Sequence, residues 1–296
     1  MAQPAVSTAF VLTGGGSLGA VQVGMLRALA EAGVSPDIVV GSSVGSVNGV
    51  VVAGWPDLSE GVRHLEGIWR GLSGHGVFRG SARGFLSALF GRRSHFFDAT
   101  ALRRLLEEGQ PHRRFDDLHR PFAVVAVDGL NGTEVVLDSG PLVEAILASS
   151  AIPAVLPPVE LDGRLLLDGG LSSNAPIGPA VERGANRVVV LPTGYSCALP
   201  GLPRSPLSML LHAKNLALLA DLRTDFALYS DKAHIAVVPP PCPQRSFPSS
   251  FKHVEENLEG GYAVARAWIE GGGLDRSEVP PQLDRSHVHT ADCPTA

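Results

Sequence analysis

Ile38-Val39-Val40-Gly41-Ser42-Ser43-Val44-Gly45 runs from an apolar β-type segment through a glycine-flanked serine into a stretch of small residues. It is a G-x-S-x-G pattern in a strand–turn–helix setting. Gly41 and Gly45 leave room for a sharp, strained turn that stands the hydroxyl of Ser43 above a sheet. Gly45 and Gly49 share one face of the helix predicted after the turn, over 46–53, so that helix packs tightly on the sheet. A serine presented in this way is a candidate nucleophile.

The flanking chain extends the same architecture. Upstream, 9–12 reads as a short buried strand. A glycine loop follows it, and then a helix over about 19–32 whose apolar face includes Ala20, Val23, Met25, Leu26 and Leu29. Gly33 is placed to stop that helix. Downstream, strands are expected at 122–127, 135–137, 165–167, 187–191 and 235–238, with helices at 142–149, 177–182, 207–230 and 254–269. Alternating strands and helices give an α/β fold, a mainly parallel central sheet flanked by helices. The chain reads as one domain over 1–273, its motifs within 9–238, with ordered Pro-rich connectors at 200–206 and 239–243. The polar, proline-containing tail 274–296 is expected to be mobile.

Composition narrows the function classes. The 296 residues are 45% hydrophobic and 18% charged, enough for a core without a disulfide or metal staple. A net charge of -5 gives no electrostatic footprint for nucleic acid. Cys197, Cys242 and Cys293 show no C-x-x-C spacing, so they are expected to be idle thiols, with neither a zinc site nor a disulfide framework. The N-terminus lacks the basic and apolar regions of a signal peptide, and a cytoplasmic location is expected. No uncharged apolar run approaches the roughly 20 residues that cross a bilayer, so any membrane contact is expected to be peripheral.

Two further segments carry chemistry. Thr13-Gly14-Gly15-Gly16-Ser17-Leu18-Gly19 follows a strand and opens a helix, leaving glycine N–H groups unshielded at a positive helix end. Such a nest suits an oxyanion. The same loop fits G-x-G-x-x-G through Gly14, Gly16 and Gly19, a dinucleotide fingerprint. That reading requires an acid at the end of the second strand. The second strand ends instead in Gly41-Ser42-Ser43, and Asp37 lies before it, so a dinucleotide-binding module is the least favoured alternative. Leu165-Leu166-Leu167-Asp168-Gly169-Gly170 places a carboxylate at the C-terminal end of an apolar strand, the edge where open α/β sheets gather their sites. Asp-Gly-Gly is also ordinary turn chemistry.

Together these motifs resemble the patatin-like phospholipase and lipid acyl hydrolase family, and Ala148-Ser149-Ser150-Ala151-Ile152-Pro153 resembles a further family block. The resemblance implies that Ser43 is the nucleophile and Asp168 its direct partner, a dyad without histidine. It also implies that Gly14, Gly15, Gly16 and Val44 supply the oxyanion hole. The implied substrate is a lipid ester, with phospholipid or lysophospholipid foremost, hydrolysed through an acyl-enzyme with no cofactor and no metal. Two positions depart from the family pattern: Leu18 stands where many members carry Arg or Lys, and Ser42 where many carry Thr. A histidine base would have to follow Asp168 in the chain order Ser…Asp…His. None of His212, His234, His253, His287 and His289 lies in a glycine-rich strand-end loop.

The segment 84–93 places Phe85, Leu86, Leu89 and Phe90 on one helical face flanked by arginines. It reads as a core-facing helix, with a lid over 79–97 as the alternative. Asp98 or Thr100 is a candidate helix cap. A non-catalytic lipid-binding protein that retains the fold is the competing function.

Overall fold

The chain alternates its apolar residues between the two faces of its strands, and this alternation builds a three-layer molecule. The computed structural model describes residues 6–73, 94–194, 202–203, 206–242 and 250–283. β1 (Thr8–Leu12) and β2 (Ile38–Ser42) lie parallel in an eight-stranded sheet with β3 (Phe122–Asp128), β7 (Arg187–Leu191) and β8 (His234–Val237). Phe10, Leu12, Val39, Val124 and Val189 face one side. Ala9, Val11, Val40, Val125 and Val188 face the other. This period-2 pattern with both faces apolar is what a sheet buried between helix layers requires.

The first face is covered by α1 (Gly19–Glu31), α2 (Val44–Gly54), α3 (Leu58–Leu72), α4 (Thr100–Gly109), α5 (Leu142–Ser149) and α8 (Val254–Glu270). The second is covered by α6 (Ile177–Glu182) and α7 (Pro206–Tyr229). Gly33, at φ 71, follows the end of α1 as expected. The N-cap position of α4 is held by Ala99, neither Asp98 nor Thr100, although the Asp98 Oδ1 just before it accepts from the Thr100 N–H at 2.9 Å.

Three strands depart from a parallel reading. β4 (Glu134–Leu137) returns as a hairpin partner of β3, and β5 (Val159–Leu161), which the sequence reading missed, pairs antiparallel with β6 (Arg164–Asp168). β6 itself runs antiparallel to β3. Asp168 therefore does not end a parallel strand as the apolar run suggested. β4 pairs with Val124–Val127, β2 with Phe122–Val125 and β6 with Ala126–Asp128. Because β4 occupies one edge of β3, β2 and β6 must share the other. They meet there end to end, β2 ascending and β6 descending.

Two further expectations need correction. Cys242 is disulfide-bonded, its partner outside the described residues, so it is not an idle thiol. Separation along the chain says nothing about proximity in the fold, which is why spacing alone missed it. The first part of the supposedly mobile tail is packed: Leu283 is fully buried and its carbonyl accepts from Arg223. Residues 284–296 and the segment 74–93, with its candidate lid face, lie outside the described residues. No helix among the described residues is long and apolar enough to cross a membrane.

Candidate functional site

Ser42 stands opposite Val125 of β3 and Asp168 opposite the next residue, Ala126. The shared edge of β3 thus brings the ends of β2 and β6 together, and with them Ser43 and Asp168. After Asp168 the chain passes against β2 so closely that a Cβ on Gly169 would stand 2.8 Å from Ser42 Oγ.

Ser43 has φ 52 and ψ -124, a conformation that L-residues rarely adopt. It is held there from three sides. Its N–H donates to Ser149 Oγ at 3.0 Å, and its carbonyl accepts from both the N–H and the hydroxyl of Ser46. The third restraint is the glycine pair, for a Cβ on Gly41 would stand 2.6 Å from the Gly45 carbonyl oxygen and one on Gly45 would collide with the Leu12 carbonyl. Such local strain persists only where the surroundings over-determine it.

Asp168 is 3% exposed. Its Oδ1 accepts from the Gly170 N–H at 2.9 Å, while Oδ2 is buried with no hydrogen bond of good geometry. Burial pushes the carboxyl above the usual carboxylate range. The Ser43 hydroxyl, the Lys214 charge and the Gly170 N–H oppose that shift without cancelling it. A carboxylate raised in this way, with one oxygen unengaged beside a serine hydroxyl, is a better proton acceptor than an ordinary carboxylate.

The glycine loop lies against Ser43, a Cβ on Gly14 falling 3.0 Å from Ser43 Cβ. Among the described residues the N–H groups of Gly14, Gly15, Gly16 and Val44 donate no backbone hydrogen bond in the loops and turns. The loop is fixed from behind by buried polar groups. Thr193 Oγ1 donates to the Gly14 carbonyl at 2.7 Å, and Gln22 Nε2 to the carbonyls of Thr13 and Leu191 at 2.9 Å. Asn48 Nδ2 donates to Gln22 Oε1 at 2.9 Å, and Trp69 Nε1 to Asn48 Oδ1 at 2.9 Å. Gln22, Asn48, Ser149 and Thr193 were not singled out from the sequence. For Gln22 and Asn48 the available signal was a polar residue inside an apolar helix, since a buried amide demands partners.

The remaining candidates fall elsewhere. Asp37 bonds the Thr8 N–H at the opposite end of the strands. His234 lies 2.9 Å from the Leu274 carbonyl, and His253 faces Glu256. Among the described residues no imidazole bonds Ser43 or Asp168, and no group of His, Cys, Asp or Glu could hold a metal.

Ser43 also lines an apolar cavity of about 80 Å³, walled by Val47 and Val51 of α2, Leu65 and Trp69 of α3, and Leu102 and Leu106 of α4. That lining suits a hydrocarbon group.

A family model described as Patatin-like phospholipase matches residues 10–181. The chain belongs to the patatin-like phospholipase family. It is similar to the mouse patatin-like phospholipase domain-containing protein 7, 30% identical over 188 residues that cover 63% of this chain and 13% of that one. An uncharacterized NTE family protein of Mycobacterium bovis is 32% identical over 199 residues, covering 67% of this chain and 52% of that protein. The patatin-like region thus spans about an eighth of the first relative and about half of the second. The crystal structure of VipD from Legionella pneumophila shares the fold at a TM-score of 0.50 and 14% identity, over 90% of this chain and 67% of that one.

Proposed function

We propose that this patatin-like chain is a serine lipid acyl hydrolase of the phospholipase A, lysophospholipase or esterase type, working through a Ser43–Asp168 dyad. The observation that carries the reading is the end-to-end meeting of β2 and β6 on one edge of β3. It sets a strained serine beside a buried carboxylate whose second oxygen is unengaged. Ser43 Oγ attacks the acyl carbonyl carbon and its proton passes to Asp168 Oδ2. The developing oxyanion is received by the N–H groups of the Gly14–Gly16 loop and Val44. The alcohol leaves with the proton, and water activated by Asp168 then releases the fatty acid. The apolar cavity beside Ser43 supports a lipid acyl group as the part of the substrate that is held.

The test is product analysis on defined phospholipid, lysophospholipid and triacylglycerol. Fatty acid release by the wild type but not by Ser43→Ala is expected, with Asp168→Asn slower by on the order of 100- to 10,000-fold. Equal release by Ser43→Ala, or none by the wild type on any of them, removes the reading.

A further inference from the structure

α7 joins β7 to its parallel neighbour β8, so it is a crossover that runs back against the strands. Its first half therefore stands at the C-terminal edge of the parallel sheet, the edge where Ser43 follows β2. Two observations tie the helix to the dyad. The Lys214 charge is near enough to act on the Asp168 carboxyl. Further along α7, Asp221 Oδ2 accepts from the Asn174 N–H at 3.2 Å. Asn174 lies on the stretch of chain that leaves Asp168, and Leu171 on the same stretch is 52% exposed.

Burial divides α7 in two. Leu219 and Leu222 belong to the core of the second sheet face, with Leu218 and Phe226 packed against it. From 209 to 218 none of the described residues is buried. Met209, Leu210, Ala213, Lys214, Leu216 and Ala217 are all exposed, Leu210 to 67%. A surface helix ordinarily turns polar residues outward, whereas this half turns leucine and methionine outward. A contiguous apolar patch of this kind marks a docking surface. We propose that the first half of α7, together with Leu171, docks the protein on a lipid surface and so brings the Ser43–Asp168 edge to the membrane. The charges fit that partner. The sequence carries no Asp or Glu between Glu182 and Asp221, so no carboxylate has to be dehydrated there. Lys214 can lay its stem on the apolar layer and keep its ammonium among the headgroups. An isologous pair of these faces would instead set one Lys214 near the other with no carboxylate to separate them. The docked part ends where Asp221, Asp225 and Glu134 gather beside the second half. The inference rests on the acyl-hydrolase reading, which it deepens by naming the surface through which lipid is met.

The experiment floats Ser43→Ala protein with vesicles of phosphatidylcholine and phosphatidylglycerol, so that binding is read without chemistry. The pair Leu210→Asp and Leu216→Asp, checked for an unchanged unfolding transition, should weaken vesicle binding by on the order of 100-fold. The milder pair Leu210→Gln and Leu216→Gln should fall between. Leu228→Asp, at an exposed position on the second half, is the control and should bind as its parent does. With Ser43 in place, the aspartate pair should lower fatty acid release from vesicles in step with binding. It should leave hydrolysis of p-nitrophenyl butyrate in solution within about twofold. No vesicle binding by the parent, or equal binding by both double variants, overturns the inference, while hydrolysis of the soluble ester keeps the hydrolase reading standing. A dimer seen without vesicles and abolished by the aspartate pair, while vesicles go unbound, assigns the face to a second copy and overturns it too. Vesicle binding that depends on Leu210 and Leu216, without hydrolysis of any ester, upholds the docking surface and removes the hydrolase reading instead.

Discussion

Ser43 is held at φ 52 by its neighbours, and that strain is a stability cost on the order of 1 kcal/mol that glycine would not carry. Ser43→Gly is therefore expected to be inactive yet about 1 kcal/mol more stable than Ser43→Ala, as read by urea unfolding. Equal stabilities would show that the elbow is unstrained. Asp168 sets a second expectation. Burial raises its pKa and the base must be ionised to act, so activity should rise with pH through a limb above the ordinary carboxylate range. Lys214 opposes the shift, so Lys214→Ala should move the limb to higher pH, modestly because the ammonium is exposed and screened. A kcat/KM profile whose acid limb falls at the ordinary carboxylate position would contradict both statements.

At the scale of elements, the site depends on how segments are backed and on which way they run. The Gln22–Asn48–Trp69 chain ties α1, α2 and α3 behind the glycine loop. Asn48→Ala leaves Trp69 Nε1 and Gln22 Oε1 without these bonds and should lower stability by about 1–3 kcal/mol in denaturant melts, with activity falling alongside. The elbow, the glycine loop and most strand and helix positions were legible in the sequence, because Gly41, Gly45 and the apolar periods are local signals. The direction of β6 was not legible. Leu165-Leu166-Leu167 reads the same in a parallel or an antiparallel strand, and only the hairpin partner β4, by filling one edge of β3, decides where β6 can pair. Ser149 was quoted within a motif, but its bond to the Ser43 N–H is made between residues far apart in the chain, and no local pattern encodes it.

Over the whole molecule, polar groups are distributed unevenly between the two faces of the sheet. On the α6–α7 side, burial and the nearby Asp221 and Glu134 push the Asp225 carboxyl up to about 7, against only a hydrogen bond from Ser173. A carboxyl raised in the folded state contributes stability that is present below its unfolded pKa and is lost as pH rises through the folded value. Unfolding free energy should therefore fall between pH about 4 and about 7, and Asp225→Asn should flatten that decline in pH-dependent melts. An unchanged slope would place the titration elsewhere. The opposite face holds the apolar cavity, with the glycine loop, Ser43 and Asp168 gathered at its end, and the proposal that unites them is nucleophilic attack by Ser43. Intact-protein mass spectrometry after exposure to a long-chain fluorophosphonate tests it most directly. One adduct on wild type, mapped to Ser43, missing from Ser43→Ala and formed far more slowly on Asp168→Asn, is the predicted result; no adduct on wild type, or an adduct that persists in Ser43→Ala, contradicts it.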